Sequence, residues 1–600
     1  MPNIIPRPYP ADSAQHLAET GIAPVLARIY AARGIRDLAQ LDTGLGNLLP
    51  FSQLKNVQQM ARILADAIAA NQKLLIVADY DADGATACAV GLRGLRAFDA
   101  RVEFIVPNRF EYGYGLTPEI VRLAAQSSPD ILITVDNGIA SVEGVAEANR
   151  LGMQVLITDH HLPGDALPDA LCIVNPNQVG CEFPSKNLAG VGVMFYVLLA
   201  LRAELRARGV FSKSPLAPLL QSGESTPFPD SPPNKEGNRL PTLQKGGGGG
   251  FTEPNLGNLL DLVALGTVAD VVKLDENNRT LVQQGLQRIR AGRACAGINA
   301  LLQVAKKNHA QVSSYELGFV VGPRLNAAGR LEDMSLGIAC LLSDDANEAA
   351  QIAAKLDALN RARRNIEADM QKAALAALEH INPSDGSSLA LFDETWHQGV
   401  IGILASRLKD RYHRPVIAFA RAQNGEIKGS GRSIPGLHLR DALDLVSKRH
   451  PHLLQKFGGH AMAAGLSLRE EHFDEFKAAF EAVAQSLLSP ADLTQIIETD
   501  GSLAAHDFSL NIARSLEQQV WGQGFPQPLF EGRFSVQSQR VVGEKHLKTK
   551  LATSGATYDA IHFFHADPLP AEIRAVYSLA INEYNGNVSL QLIVRHWEGL

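Results

Sequence analysis

Residues 79–84 read DYDADG and follow directly on the apolar run KLLIVA. If that run continued as a strand, Asp79, Asp81 and Asp83 would share one face at close range. Unpaired carboxylates crowded in this way repel one another and resist desolvation, so a cation is expected among them. Two more apolar runs end in acids, in VDNG at 135–138 and TDHHLPG at 158–164, and Asp270 in GTVAD stands near the end of a predicted helix. Carboxylates with one or two imidazoles suit Mg²⁺ or Mn²⁺, and the histidines tilt the choice toward Mn²⁺. One ion does not need so many acids, whereas two ions sharing a bridging carboxylate use them economically. A single Asp at a strand end is ordinarily a helix cap or turn former. Its recurrence at successive strand ends is what points to a metal cluster.

The elements that must position these acids can be read around them. LLIVA (74–78), EFIVP (103–107), ILITV (131–135), VLIT (155–158) and CIVNP (172–176) alternate with amphipathic segments. Short branched runs in that alternation predict a parallel sheet covered on both faces, with ligands at the C-terminal edge of its strands. From an Asp345/Glu348 capping box a helical pattern runs to Pro383, and about 36 helical residues would reach about 54 Å, enough to bridge two domains. SLALFDETWHQGVIGILASRLKDRYHRPVIAFA then reads strand, helix, strand, the start of a second α/β domain. The tail from about Phe530 is strand-like, with a hairpin turn predicted at Asn585-Gly586, and suggests a small antiparallel barrel or sandwich. Residues 211–256 are dominated by Pro, Ser and Gly and read as a disordered surface insertion. Their GGGGG run lacks the preceding strand and following GK[ST] of a phosphate loop.

A chain of 600 residues is expected to form roughly three or four domains. No apolar stretch is suited to span a bilayer and the opening MPNIIPRPYPADSAQ does not resemble a signal peptide, so a cytoplasmic location is expected. Cys88, Cys172, Cys181, Cys295 and Cys340 are scattered and read as reduced thiols, most of them buried. The formal net charge of −7 weighs slightly against a nucleic-acid partner without excluding one, since acidic ligands and a local basic groove can coexist.

DYDADG, VDNG and the Asp159-His160-His161 triplet, in that order, resemble the first three motifs of the DHH phosphoesterases, and GTVAD resembles the fourth. GSGRS (429–433) and FGGHAMAAGLS (457–467) are similar to the associated DHHA1 domain with its GGH motif. PNRFEYGYGLT (107–117), GPRLNAAGRL (322–331) and the long helix narrow the resemblance to the family's bacterial exonucleases specific for single-stranded DNA. It covers nearly the whole chain apart from the insertion and the extreme N-terminus.

The resemblance implies metal ligands at Asp81, Asp83, Asp136, His160 and Asp270, with Asp136 as the bridge between two divalent cations, Mn²⁺ or Mg²⁺. Asp79 stands near where some relatives use a histidine and joins Asp159 and His161 as a catalytic residue. Asp159 would be an orienting group and His161 a phosphate contact. Arg109, Arg324, Arg330, Arg432, Ser433, Gly458, Gly459 and His460 would bind substrate. Gly458 and Gly459 allow close backbone approach to a phosphate, and Arg432 and His460 offer donors to it. The implied architecture is α/β: a parallel-sheet DHH domain with an N-terminal extension (1–342), a linking helix (343–382), a smaller α/β DHHA1 domain (383–488) and a C-terminal OB-fold-like barrel (489–600), in which VVGEKHLKTKL would line a groove. The implied activity is a 5′ to 3′ exonuclease that releases nucleoside 5′-monophosphates in recombination and repair. Its partners would be single-stranded DNA, a single-stranded-DNA-binding protein and a helicase, with no membrane, and the chain would act as a monomer. A phosphodiesterase for very short oligonucleotides or cyclic dinucleotides is the competing enzyme, but such relatives are generally shorter and lack the barrel. A non-catalytic scaffold would have lost the ligands this chain retains.

Overall fold

The computed structural model describes residues 2–108, 115–211, 252–378, 386–584 and 586–600. Arg109, most of the insertion and Asn585 at the expected hairpin turn lie outside the described residues. After a short β1 (Asn3–Pro6), the strands β2 (Lys73–Ala78), β3 (Arg101–Ile105), β4 (Ile131–Val135), β5 (Gln154–Thr158) and β6 (Cys172–Val174) form one sheet in the order β3-β2-β4-β5-β6. Every pairing in it is parallel. Alternate residues of β2 enter separate cores: Leu74 and Ile76 pack on one face, Leu75 and Val77 on the other. This two-sided burial is why the strands read as continuous apolar runs. On the first face lie α1 (Ala82–Ala97), α2 (Gly190–Ala207) and α3 (Leu260–Ala269), which pack on one another.

Two helices lead out of this domain, α4 (Gly322–Leu331) and the 33-residue α5 (Ala346–Leu378). Asp345 caps α5 by accepting from Asn347 N and Glu348 N at 2.7 and 3.0 Å. The Glu348 carboxylate accepts from the Ser343 hydroxyl at 2.6 Å, which is a use the expected capping box did not include.

The second sheet has the order β10-β11-β9-β8-β7 and is built from β7 (Leu389–Phe392), β8 (Val416–Arg421), β9 (Glu426–Arg432), β10 (Lys456–Gly459) and β11 (Ala463–Arg469). Its helices are α6 (Ile401–Tyr412), α7 (Leu439–Arg449) and α8 (Phe473–Leu487). Phe419 of β8 meets Phe476 of α8 edge-on at 5.5 Å in its core. After β12 (Ile496–Thr499), the strands β13 (Phe530–Val542), β14 (His546–Thr553), β15 (Ala556–His562), β16 (Glu572–Tyr584) and β17 (Asn587–Gly599) close into a barrel in the order β13-β14-β15-β17-β16. A parallel β15–β17 pairing closes it. Among the described residues no helix is long and apolar enough to cross a membrane.

The N-terminus was expected to belong with the first domain alone, yet β1 pairs in parallel with β12, at the entrance to the barrel. Beside that pairing Arg33 donates to both oxygens of Asp500, at 2.7 and 3.1 Å, and to the carbonyls of Ile29 and Pro526. Both side chains are almost wholly buried, and Arg7 approaches Asp500 only to 4.0 Å. Removing one partner of such a pair leaves an uncompensated buried charge, so Arg33→Ala should lower the free energy of unfolding by about 3 kcal/mol or more. Urea denaturation measures it, and Asp500→Ala added to Arg33→Ala should cost less than the two single changes summed.

Candidate metal centre

Each acid owes its position to the end of a regular element. Asp79 immediately follows β2, and Asp81 caps α1 by accepting from Asp83 N and Gly84 N at 2.9 and 3.0 Å. Asp83, in the first turn of α1, is buried and accepts from Gly190 N at 2.6 Å and Val191 N at 2.9 Å. These amides open α2, so a helix N-terminus stabilises the carboxylate. Asp136 follows β4 in a left-handed conformation, φ +62°, which Asp tolerates better than most residues. Beside it the Asn137 amide donates to Val77 O and Val135 O, tying β2 to β4. Asp159 follows β5 and accepts from Ile139 N, His160 N and His161 N, and it lies 2.8 Å from His161 Nδ1. Asp270 ends α3.

These ends converge. His160 Nε2 lies 3.0 Å from Asp136 Oδ1, 3.5 Å from Asp270 Oδ2 and 3.9 Å from Asp83 Oδ2. Donor atoms of Asp83, His160 and Asp270 fall within 4.8 Å of one another, as do those of Asp79, Asp81 and Asp136 and those of Asp136, His160 and His161. Asp136 belongs to two of these sets, the position a bridging ligand requires.

The electrostatics fit a missing positive charge. Burial, then Asp83, Asp81 and the other acids, push the Asp136 carboxyl well above its ordinary value, and burial followed by Asp83 does the same to Asp270. Burial and Asp81 raise Asp83 to about 7, against the amides that hold it. Burial also lowers His160 to about 4, keeping it neutral and able to ligate. His161 is the opposite case: burial disfavours its charge, but Asp159 outweighs that and raises it to about 9. Asp136 Oδ1, His160 Nε2 and Asp270 Oδ2 are buried without a hydrogen-bond partner, so the 3.0 Å approach of His160 to Asp136 lacks hydrogen-bond geometry. Buried polar atoms left so are costly, and a divalent cation between them satisfies all at once. The residues present therefore fit Mn²⁺ or Mg²⁺.

Not every expected residue reaches the centre. Asp79 lies closer than expected, within the donor set of Asp81 and Asp136. Arg324 is buried and donates to Asp357 Oδ1 at 3.0 Å and to Val320 O, which ties it to α5. Ser433 is buried with its hydroxyl donating to Leu437 O at 2.8 Å. Arg330 donates to Gly399 O, across to the second domain. Arg432 Nη1 donates to Gly431 O at 2.8 Å, at the end of β9. Gly459 takes φ +142°, where a Cβ would run into Ala463 and Ala464, while a Cβ on Gly458 would meet nothing within 4 Å. The His460 imidazole is pushed below its ordinary value by burial and then by His161, Arg440 and His438. Sequence reasoning missed Gly190 and Val191, which act through backbone amides, and Asn326, whose Oδ1 accepts from Ala82 N at 2.8 Å. The signal for the first two was NLAGVG at the start of a long apolar helix.

Comparison with known proteins gives concordant matches. The DHH family, N-terminal domain, matches residues 73–223, the DHHA1 domain 385–486 and the RecJ OB domain 499–596. The single-stranded-DNA-specific exonuclease RecJ of Salmonella typhimurium is 47% identical over 585 residues, covering 96% of this chain and 95% of that protein. Crystal structures of RecJ from Thermus thermophilus in complex with Mn²⁺ and Mg²⁺ superimpose with TM-scores of 0.79 and 0.74 at 28% and 26% identity. They cover 100% of this chain and 79% and 78% of those chains.

Two substitutions test the centre separately. Asp136→Ala should leave less than about a hundredth of wild-type hydrolysis, equivalent to about 2.7 kcal/mol of barrier. In chelator its melting temperature should equal or exceed that of the wild type, because a desolvated and crowded carboxylate has gone. Gly190→Ala keeps every ligand but sets a Cβ 2.6 Å from that of Asp136. Calorimetric titration should show Mn²⁺ binding weakened by about tenfold or more, about 1.4 kcal/mol.

Proposed function

The chain belongs to the RecJ family of single-stranded-DNA-specific exonucleases, and from that membership we propose that it degrades single-stranded DNA from the 5′ end to nucleoside 5′-monophosphates in recombination and repair. The observation that carries this reading is the convergence of three donor sets at the strand ends of the first domain, two of which share Asp136. In this reading the two domains, joined through the long helix, wall a cleft that suits a polymer, and a cleft that admits one strand excludes a duplex by its walls alone.

In this reading Asp81, Asp83, Asp136, His160 and Asp270, with Asp79 beside them, hold two divalent cations. Such ions supply a basic water and offset the charge of the phosphoryl group during in-line displacement. Asp159 fixes the His161 ring and keeps it cationic, so His161 presents positive charge to a phosphate. Arg432 and His460, with the open backbone at Gly458, hold the substrate from the other side. Arg330 supports that wall through Gly399. The barrel of β13–β17 receives the strand beyond the cleft, as OB folds do, by stacking and basic contacts. The same reading places the protein in the cytoplasm as a monomer, supplied with substrate by a helicase and a single-stranded-DNA-binding protein.

Single-stranded DNA labelled separately at each end, digested in Mn²⁺ and in Mg²⁺, tests polymer, polarity and cofactor together. Early release of mononucleotide from the 5′ label is expected, and early release from the 3′ label would reverse the polarity. Arg432→Ala should slow the reaction by at least about tenfold, roughly 1.4 kcal/mol, with blunt duplex DNA a poor substrate for both proteins. An unchanged rate would move phosphate recognition away from the second domain.

A further inference from the structure

The second domain gathers another set of metal-ligating side chains, none of them among the residues assigned above. His450 and His452 lie on the turn between α7 and β10, and His472 and Glu475 lie at the start of α8. His452 Nε2 is 3.1 Å from both oxygens of Glu475, and His450 Nδ1 is 3.9 Å from Glu475 Oε1. Donor atoms of His452, His472 and Glu475 all lie within 4.8 Å of one another. The His452 ring stands edge-on to that of His472 at 5.5 Å.

The backbone beneath these side chains is fixed. Leu453 and Phe476, the neighbours of His452 and Glu475, are fully buried, Leu453 N donates to His450 O at 3.1 Å, and α7 packs on α8. The donors are thus presented from anchored positions, as a pre-organised site requires. A hydrogen bond between His452 and Glu475 would account for one imidazole, but not for a second, His472, gathered beside them.

Bonds of about 2.0–2.2 Å to a tetrahedral Zn²⁺ set its ligands about 3.3–3.5 Å apart. The His452–Glu475 separation is already close to that, and the donor atom of His472 lies within 4.8 Å of both. Imidazole-rich sets favour Zn²⁺ over Mn²⁺ and Mg²⁺, which the carboxylate-rich strand ends suit. The geometry points to a second metal site, of the zinc class, formed by His452, His472 and Glu475, which ties the α7–β10 turn to α8. That turn leads directly into β10, the edge strand that carries Gly458 and Gly459. Metal there braces the strand bearing the GGH motif. The site stands whatever reaction the strand-end cluster performs.

The full chain, with its strand-end cluster saturated by excess Mn²⁺, is titrated with Zn²⁺ and melted with and without it. The wild type should bind an equivalent of Zn²⁺ that the double variant His452→Ala/Glu475→Gln does not, and Zn²⁺ should raise the melting temperature of the wild type alone. Without zinc the Mn²⁺-dependent rates of the two should match. His472→Ala, which leaves the His452–Glu475 contact in place, should weaken zinc binding by about tenfold or more, about 1.4 kcal/mol. Equal zinc stoichiometry and melting response in wild type and double variant would overturn the site, as would zinc affinity unaffected by His472→Ala.

Discussion

Negative charge packed where water cannot solvate it is the constraint on which the rest of the first domain depends. Asp83 and Asp136 are almost wholly buried, and Asp79, Asp81 and Asp270 stand against them. Protein groups offset part of this charge: the N-terminus of α2 serves Asp83, and His161 serves Asp159. The remainder is left for cations. The requirement explains local oddities that would otherwise be defects, such as the left-handed backbone at Asp136 and the orphaned oxygen and nitrogen atoms around it. A fold stabilised by its own contacts alone would have no reason to keep them.

The second domain must then be held at a set distance from these charges, and ion pairs along α5 do this. Arg324 fastens α5 to α4 through Asp357, and Glu367 accepts from Arg363 on its own helix and from Arg407 of α6 at 2.9 Å each. Asp357, Arg363 and Glu367 are largely buried, so rotation of one domain against the other would expose or unpair charges that are expensive to leave so. The helix acts as a strut because its polar residues are committed at both ends.

Much of this was legible in the sequence because the informative residues lie close together in it. The apolar runs announced the parallel sheet through composition, and Asp79 to Asp83, Asp136 and the Asp159-His160-His161 triplet each announced themselves at a strand end. What escaped were groups whose role depends on another part of the chain. Arg324 is fastened to a partner 33 residues away that no local pattern announces. Ser433 sits inside the GSGRS motif, and its hydroxyl donates to Leu437 O four residues on. Gly190 contributes an amide and the absence of a side chain, and neither leaves a compositional mark. The β1–β12 pairing joins ends of the chain that no local pattern could connect.

That last pairing bears on how the protein comes into being. Asn3–Pro6 are synthesised long before their partners Ile496–Thr499. Arg33 waits as long for Asp500, across 467 residues. Domains made from the N-terminus fold as they appear, so the parallel sheet can assemble while its leading segment still has nothing to pair with. Closing the junction is therefore a late step with a large loop to close. Until β12 is made the nascent chain carries β1 without its partner, and the segment that leads into the barrel is also what secures it.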